Sequence, residues 1–173
     1  AICFSQIFEK LKIDLLMVCG DRFEMHAVAL AALPFKIPVV HLHGGEVTQG
    51  AIDDAFRHSM TKLSHIHFVA TEAYRARVIQ MGEEPWRVIV SGAPSLDNLH
   101  NFTPIDKHKM EKIYGVVLDQ SPLLVTFHPE TNSSIKYTDQ IKILLKSLKS
   151  LNKISLIFTG SNADPFGQNF NKK

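Results

Sequence analysis

The chain is poor in the features that mark several common protein classes. It has two cysteines, Cys3 and Cys19, too few for a disulfide framework. Both lie in apolar runs, where a free thiol behaves as a small hydrophobe. No apolar run reaches the roughly 18 residues that a membrane-spanning helix needs. The first helical stretch carries Glu9, Lys10 and Lys12 where a signal peptide would be apolar. A net charge of +2 is too small to hold nucleic acid, and Lys136, Lys142, Lys146 and Lys149 read as the solvated face of one helix. The expectation is a cytoplasmic protein that binds neither membrane nor nucleic acid.

Several catalytic signatures are missing too. There is no Gly-x-Gly-x-x-Gly, no Walker A loop and no Gly-x-Ser-x-Gly, so hydride transfer, nucleoside triphosphate hydrolysis and serine hydrolysis lose their usual supports. Nine histidines invite a metal, and His41/His43 and His65/His67 have the i, i+2 spacing of one strand face. Neither pair has a zinc-site spacing and no cysteine cluster assists them, so no metal site is expected. His65 and His67 read as strand histidines with ordinary hydrogen-bond partners.

What is present is a globular composition, 45% hydrophobic and 21% charged, with apolar strands alternating with helices. Helices are predicted over 2–12, 25–33, 51–63, 71–81, 105–114 and 137–151. Strands are predicted at 14–19, 37–41, 65–70, 87–90, 123–127 and 154–158. Nearly continuous apolar strands joined by helices mean a parallel sheet covered on both faces. After Gly92-Ala93-Pro94 the chain turns polar through Asn98, His100, Asn101 and Thr103-Pro104, an interdomain linker, and then the β/α pattern restarts. The start inside a helix at Ala1 and the abrupt end at Lys173 read as those of a fragment.

The chemistry concentrates where strands end. Asp21-Arg22 follows the first strand, His43-Gly44-Gly45-Glu46 the second, and His128 the strand after the linker. In an open α/β sheet ligands bind beyond the carboxyl ends of the strands, because loops converge there on rigid supports. Gly44-Gly45 lets the backbone approach a ligand closely. Asp53 and Asp54 open the next helix, where acids also cap and complement the dipole. Asp53 is read as functional and Asp54 as a cap. Arg57, at i+4 from Asp53, is placed to hold its carboxylate. Carboxylates with His and Arg suit proton abstraction and stabilisation of a leaving group.

Taken in order, Gly20-Asp21-Arg22-Phe23-Glu24, His41-Leu42-His43-Gly44-Gly45-Glu46, Gly50 to Lys62, Gly92 to Asp97 and Val125 to Thr131 closely resemble the hydrolysing UDP-N-acetylglucosamine 2-epimerases of sialic acid biosynthesis. The resemblance implies two Rossmann-like domains facing each other across a cleft, as in many nucleotide-sugar glycosyltransferases (a GT-B-like arrangement). Residues 1–98 would form most of the first domain, without its first strand and loop, and 99–173 a linker and the start of the second. It implies anti elimination of UDP through a 2-acetamidoglucal, then addition of water to give N-acetylmannosamine. No cofactor is needed, the partner is the nucleotide sugar, and a homo-oligomer is expected.

By the same resemblance Asp21 and Asp53 match acidic positions of the proton chemistry. Arg22 and His128 lie where the diphosphate binds, Arg57 is grouped with them, and Asn162 with Asp164 resembles an Asn-x-Asp motif near the nucleotide. One position departs from the pattern. Many members carry a carboxylate where this chain has His43, and the nearest acid is Glu46. Either His43 takes the acid/base role, or Glu46 reaches in from the loop, or the substrate differs. Relatives with His-Gly-Gly-Glu include enzymes acting on a diacetamido-trideoxyhexose carried on UDP or GDP. That substrate is the alternative, and a nucleotide-sugar-binding fragment without turnover is a third reading.

Overall fold

The computed structural model describes residues 1–100, 102–118, 121–128, 133–151 and 154–160. The chain divides into two compact units, Ala1–Phe102 and Thr103–Lys173. Both are parallel α/β structures, the class expected from the alternating pattern.

In the first unit the strands β1 (Leu16–Cys19), β2 (Val39–Leu42), β3 (Ile66–Val69) and β4 (Val88–Val90) lie side by side in chain order, all parallel. The helices are α1 (Ile2–Phe8), α2 (Phe23–Ala32), α3 (Asp53–Leu63) and α4 (Glu72–Gln80). Each of the last three connects one strand to the next. Paired positions of a parallel sheet share a face, which puts Val18, Val39, His41, His67, Val69 and Val88 together. All six are buried. Val18 and Val39 pack with Val28, Ala29 and Ala32 of α2 and Met60 of α3, and Val69 and Val88 with Val78 of α4. The small alanines of α2 let that helix lie close to α3 and β1.

The opposite face is covered less fully than expected: Val40 on it is buried, whereas Met17, Cys19 and Ile89 are exposed. Strand order explains this. Neighbouring parallel strands joined by crossovers of one hand receive their helices on one side, and the sequence pattern alone does not reveal strand order. Most helix and strand ends fall inside the predicted limits, most visibly at α1, which stops at Phe8, whereas α2 starts earlier, at Phe23, and β2 runs one residue further, to Leu42.

Single 3₁₀ turns flank β4, Pro85–Arg87 before it and Pro94–Leu96 after it, and the stretch read as linker contains a short helix α5 (Asp97–His100). In the second unit α6 (Lys107–Tyr114) is capped by the Asp106 carboxylate, which accepts from the Lys109 N–H at 3.1 Å. It closes at Gly115, whose φ of 65° is the left-handed conformation glycine supplies at a helix end. Strands β5 (Leu123–Val125) and β6 (Leu156–Phe158) pair in parallel on either side of α7 (Tyr137–Lys149) in the sequence. Val125 and Leu148 are buried there. Among the described residues no helix is long and apolar enough to cross a membrane.

Candidate functional site

The site is built on the ends of β1 and β2. Gly20 leaves β1 with a φ of 83°, a conformation that glycine adopts without steric cost. Its N–H donates to the Leu42 carbonyl at 3.0 Å, so the turn that presents Asp21 remains tied to β2. Arg22 follows as the N-cap residue of α2 and lies 3.6 Å from Glu24.

Strand β2 ends at Leu42. His43 then takes a φ of 64°, uncommon for a residue with a side chain and a mark of a conformation held by its surroundings. This breaks the expected one-face pairing of His41 with His43. The first is fully buried under the helices, while the second is half-exposed and its Nδ1 lies 2.9 Å from Glu46 Oε1. The alternatives left open by the sequence thus meet in one hydrogen-bonded pair. The loop between them is clamped from α4: Arg77 donates to the Gly45 carbonyl, and a Cβ at Gly45 would sit 2.9 Å from Val78 Cγ2.

Arg57 is the hub. Only 3% of the residue is exposed, yet its guanidinium meets Asp21, Asp54 Oδ1 at 2.7 Å and Thr48 Oγ1 at 3.0 Å. A buried guanidinium needs such partners, because removing it from water without them is costly. Asp54 also accepts from the Thr48 N–H at 2.8 Å and so ties the loop to α3. The i+4 spacing points to Asp53 as a partner of Arg57; the structure shows Arg57 ion-paired with Asp21 and Asp54. Asp53 is the first residue of α3 and is half-buried.

Beneath the loop, His41 Nε2 is 2.8 Å from the Gly20 carbonyl oxygen. Burial lowers its pKa to about 4, against the opposing effect of that hydrogen bond. Its register neighbour His67 is buried too, and burial lowers its pKa. His65 follows the sequence reading, its Nδ1 accepting from the Val39 N–H at 3.1 Å. His67 does not. Its Nε2 stands 3.4 Å from Glu83 Oε2, and neither ring nitrogen makes a hydrogen bond among the described residues. Burial pushes the Glu83 carboxyl up, but the Lys62 hydrogen bond and the nearby His67 and Lys62 outweigh it, so the pKa is lowered.

Three candidate residues belong to the second unit. His128 follows β5 in the second unit and is exposed. Asn162 and Asp164 lie outside the described residues. The sequence reading passed over Thr48, Arg77 and the role of His41. Only the last left a signal, a histidine inside an apolar run next to the glycine pair.

A family model described as UDP-N-acetylglucosamine 2-epimerase matches residues 2–173. The chain is 46% identical over 164 residues to a GDP/UDP-N,N'-diacetylbacillosamine 2-epimerase (hydrolyzing) of Campylobacter jejuni, covering 95% of this chain and 43% of that protein. It is 41% identical over 145 residues to a UDP-N,N'-diacetylbacillosamine 2-epimerase (hydrolyzing) of Legionella pneumophila, covering 84% and 37%. The crystal structure of UDP-GlcNAc 2-epimerase from Neisseria meningitidis bound to UDP-GlcNAc superposes with a TM-score of 0.79 at 26% identity, covering 97% of this chain and 48% of that one. The chain thus spans less than half the length of these relatives.

Proposed function

Because the chain belongs to the UDP-N-acetylglucosamine 2-epimerase family, we propose that the protein is a hydrolysing 2-epimerase of a diacetamido-trideoxyhexose carried on UDP or GDP. The observation that carries this reading is the charged set at the ends of β1 and β2 and the start of α3. There Asp21 is held by buried Arg57, and His43 is paired with Glu46. The two diacetylbacillosamine epimerases at 46% and 41% identity favour this sugar. UDP-N-acetylglucosamine, the first expectation from sequence, becomes the second reading, supported by the 26% identical Neisseria structure.

The reaction is the one that the family resemblance implies, with the sugar changed. A base removes the C2 proton, the electron pair forms a C1–C2 double bond, and the C1–O bond breaks with its electrons passing to the departing diphosphate. Water then adds its oxygen to C1 as a base takes one of its protons, and an acid returns a proton to C2 from the other face. Asp21, Asp53 and the His43–Glu46 pair are the acid/base groups on this reading. Glu46 holds the imidazole through Nδ1, which leaves Nε2 for the substrate. Arg57 keeps the Asp21 carboxylate in one place. Arg22 and His128 supply charge and N–H donors to the leaving diphosphate, with Asn162 and Asp164 near the nucleotide. Positioned donors of this kind stabilise charge that develops in the transition state.

The test is turnover by the full-length protein in deuterated water, without any acceptor, on the UDP- and GDP-linked diacetamido sugars and on UDP-N-acetylglucosamine. Release of the nucleoside diphosphate with deuterium at C2 of the free sugar is expected, fastest on a diacetamido substrate. Product without deuterium removes the elimination. Faster turnover of UDP-N-acetylglucosamine restores the second reading, and release only with an acceptor makes the protein a transferase.

A further inference from the structure

We propose that His41 is a positioning residue for this reaction: as the neutral Nε2–H tautomer it donates to the Gly20 carbonyl and locks the turn that presents Asp21 onto β2. The proposal rests on the function argued above, since it concerns how the Asp21 carboxylate is aimed.

Four observations converge on it. The Gly20 carbonyl has no proton to give, so the 2.8 Å contact with Nε2 requires the hydrogen on Nε2 and leaves Nδ1 bare. Nδ1 is buried and has no hydrogen-bond partner among the described residues. A protonated ring would bury a second, unmatched N–H there. The Gly20 peptide is therefore gripped at both ends by β2, its N–H on the Leu42 carbonyl at 3.0 Å and its carbonyl on His41. Finally, Gly44 lies over the ring, and a Cβ there would come within 3.1 Å of His41 Nδ1. The first glycine of the Gly44-Gly45 pair thus serves the imidazole beneath it, whereas Gly45 serves the contact with α4.

The charged and titratable groups around the ring are His67 of β3, Arg57 of α3 and Asp21 of the turn itself. His67 and Arg57 disfavour a second proton on His41, and burial disfavours it more. The ring is thus a fixed donor, and the proton transfers fall to the half-buried groups nearer solvent. A histidine suits this place because it alone combines a donor at the distance of Nε2 with a flat apolar body that packs under glycine.

Glutamine places its amide nitrogen near the position of histidine Nε2, whereas asparagine reaches only as far as Nδ1. In the full-length enzyme His41→Gln is expected to keep kcat within about threefold of wild type, while His41→Asn and His41→Leu lower it about 30-fold or more with KM within about twofold, the pattern of a misaimed catalytic group. Gly44→Ala, whose backbone tolerates a side chain, is expected to lower kcat about fivefold through pressure on the ring. Long-range ¹H–¹⁵N spectra of the wild-type protein should show Nε2 protonated and Nδ1 bare.

Equal loss in the glutamine and asparagine variants, or an Nδ1–H tautomer, overturns the proposal. If the asparagine and leucine variants do not fold, the tautomer and the Gly44→Ala rate decide it. Should wild type release no nucleoside diphosphate from any sugar, the proposed function fails separately. The Asp21 carboxyl ¹³C shift, unmoved in His41→Gln and displaced in His41→Leu, then tests the lock alone.

Discussion

The two units share a parallel β/α design and differ in what they bury. The first covers one face of a four-stranded sheet with helices and encloses Arg57, His41 and His67 beneath the loops at its strand ends. In the second, among the described residues, Val125 and Leu148 are the buried hydrophobics, while Leu124, Ile143 and Phe158 are exposed. Its histidine at the corresponding strand end, His128, is exposed as well. A polar side chain acquires a fixed direction only when its surroundings exclude water and leave it one set of partners. The described residues of the first unit meet that condition, and on the proposed function the acid/base groups lie there.

The largest expected contrast is in turnover. Asp21→Asn should lower kcat by about 10² or more, the usual scale for removal of a positioned acid or base. It should also destabilise the first unit by about 1–3 kcal/mol, because Arg57 loses a buried partner while Asp54 remains. Asp53→Asn should lower kcat comparably with a smaller loss of stability, since Asp53 is half-buried in the first turn of α3. Urea unfolding followed at Trp86, the single tryptophan and a residue of the first unit, separates the two. Equal stability loss in both variants would mean that Asp53 is a helix cap and no more.

The next contrast is acid sensitivity. His41 takes up a proton near pH 6.5 when unfolded and near about 4 when folded. Between those values the unfolded chain binds more protons, so stability falls as the pH falls from 6.5 to 4 and this contribution then levels off. The shift corresponds to about 3 kcal/mol, and His67, also lowered by burial, adds in the same direction. His41→Gln should flatten the decline seen at Trp86. An unchanged pH profile in that variant would show that the buried ring is not what makes the first unit acid-labile.

How far the sequence disclosed this arrangement depends on the kind of information each feature needs. Strand and helix periodicity is local, and the alternation of apolar strands with helices was readable from end to end. Strand order is not local, so the exposure of Met17, Cys19 and Ile89 was hidden behind runs that look buried on both sides. The site residues stand out because glycines and titratable groups follow apolar strands. Their pairings do not stand out. Arg57 turns to Asp21, 36 positions earlier in the chain, because the parallel crossover through β2 brings α3 beside the end of β1. A helical spacing rule points to Asp53. His43 and Glu46 looked like rivals in sequence, and the left-handed turn at His43 makes them partners.

Packing offers a smaller test of the same contrast. Met60→Ala in the first unit empties a fully buried site and should cost about 3 kcal/mol. Leu148→Ala in the second, at 9% exposure in a sparser environment, should cost about 1 kcal/mol, below the usual range for a core leucine. Calorimetry or hydrogen exchange resolved by unit measures both. A Leu148 variant as damaging as the Met60 one would mean that the second unit is as tightly packed as the first.

The last contrast concerns His128. An imidazole donor placed on a departing diphosphate stabilises the charge that develops there, and in a water-poor site such a contribution reaches roughly 3–4 kcal/mol. His128 is exposed in its unit, so solvent competes for the same oxygen atoms and the expected effect is smaller. His128→Ala should lower kcat and weaken inhibition by UDP together, each by about tenfold, or about 1.4 kcal/mol. The paired loss is the informative part, since a group that serves only the chemistry changes kcat and leaves UDP affinity alone. Unchanged UDP inhibition in the variant would remove His128 from the diphosphate site. Arg22, at the N-cap of α2, would then be the candidate to examine by the same pair of measurements.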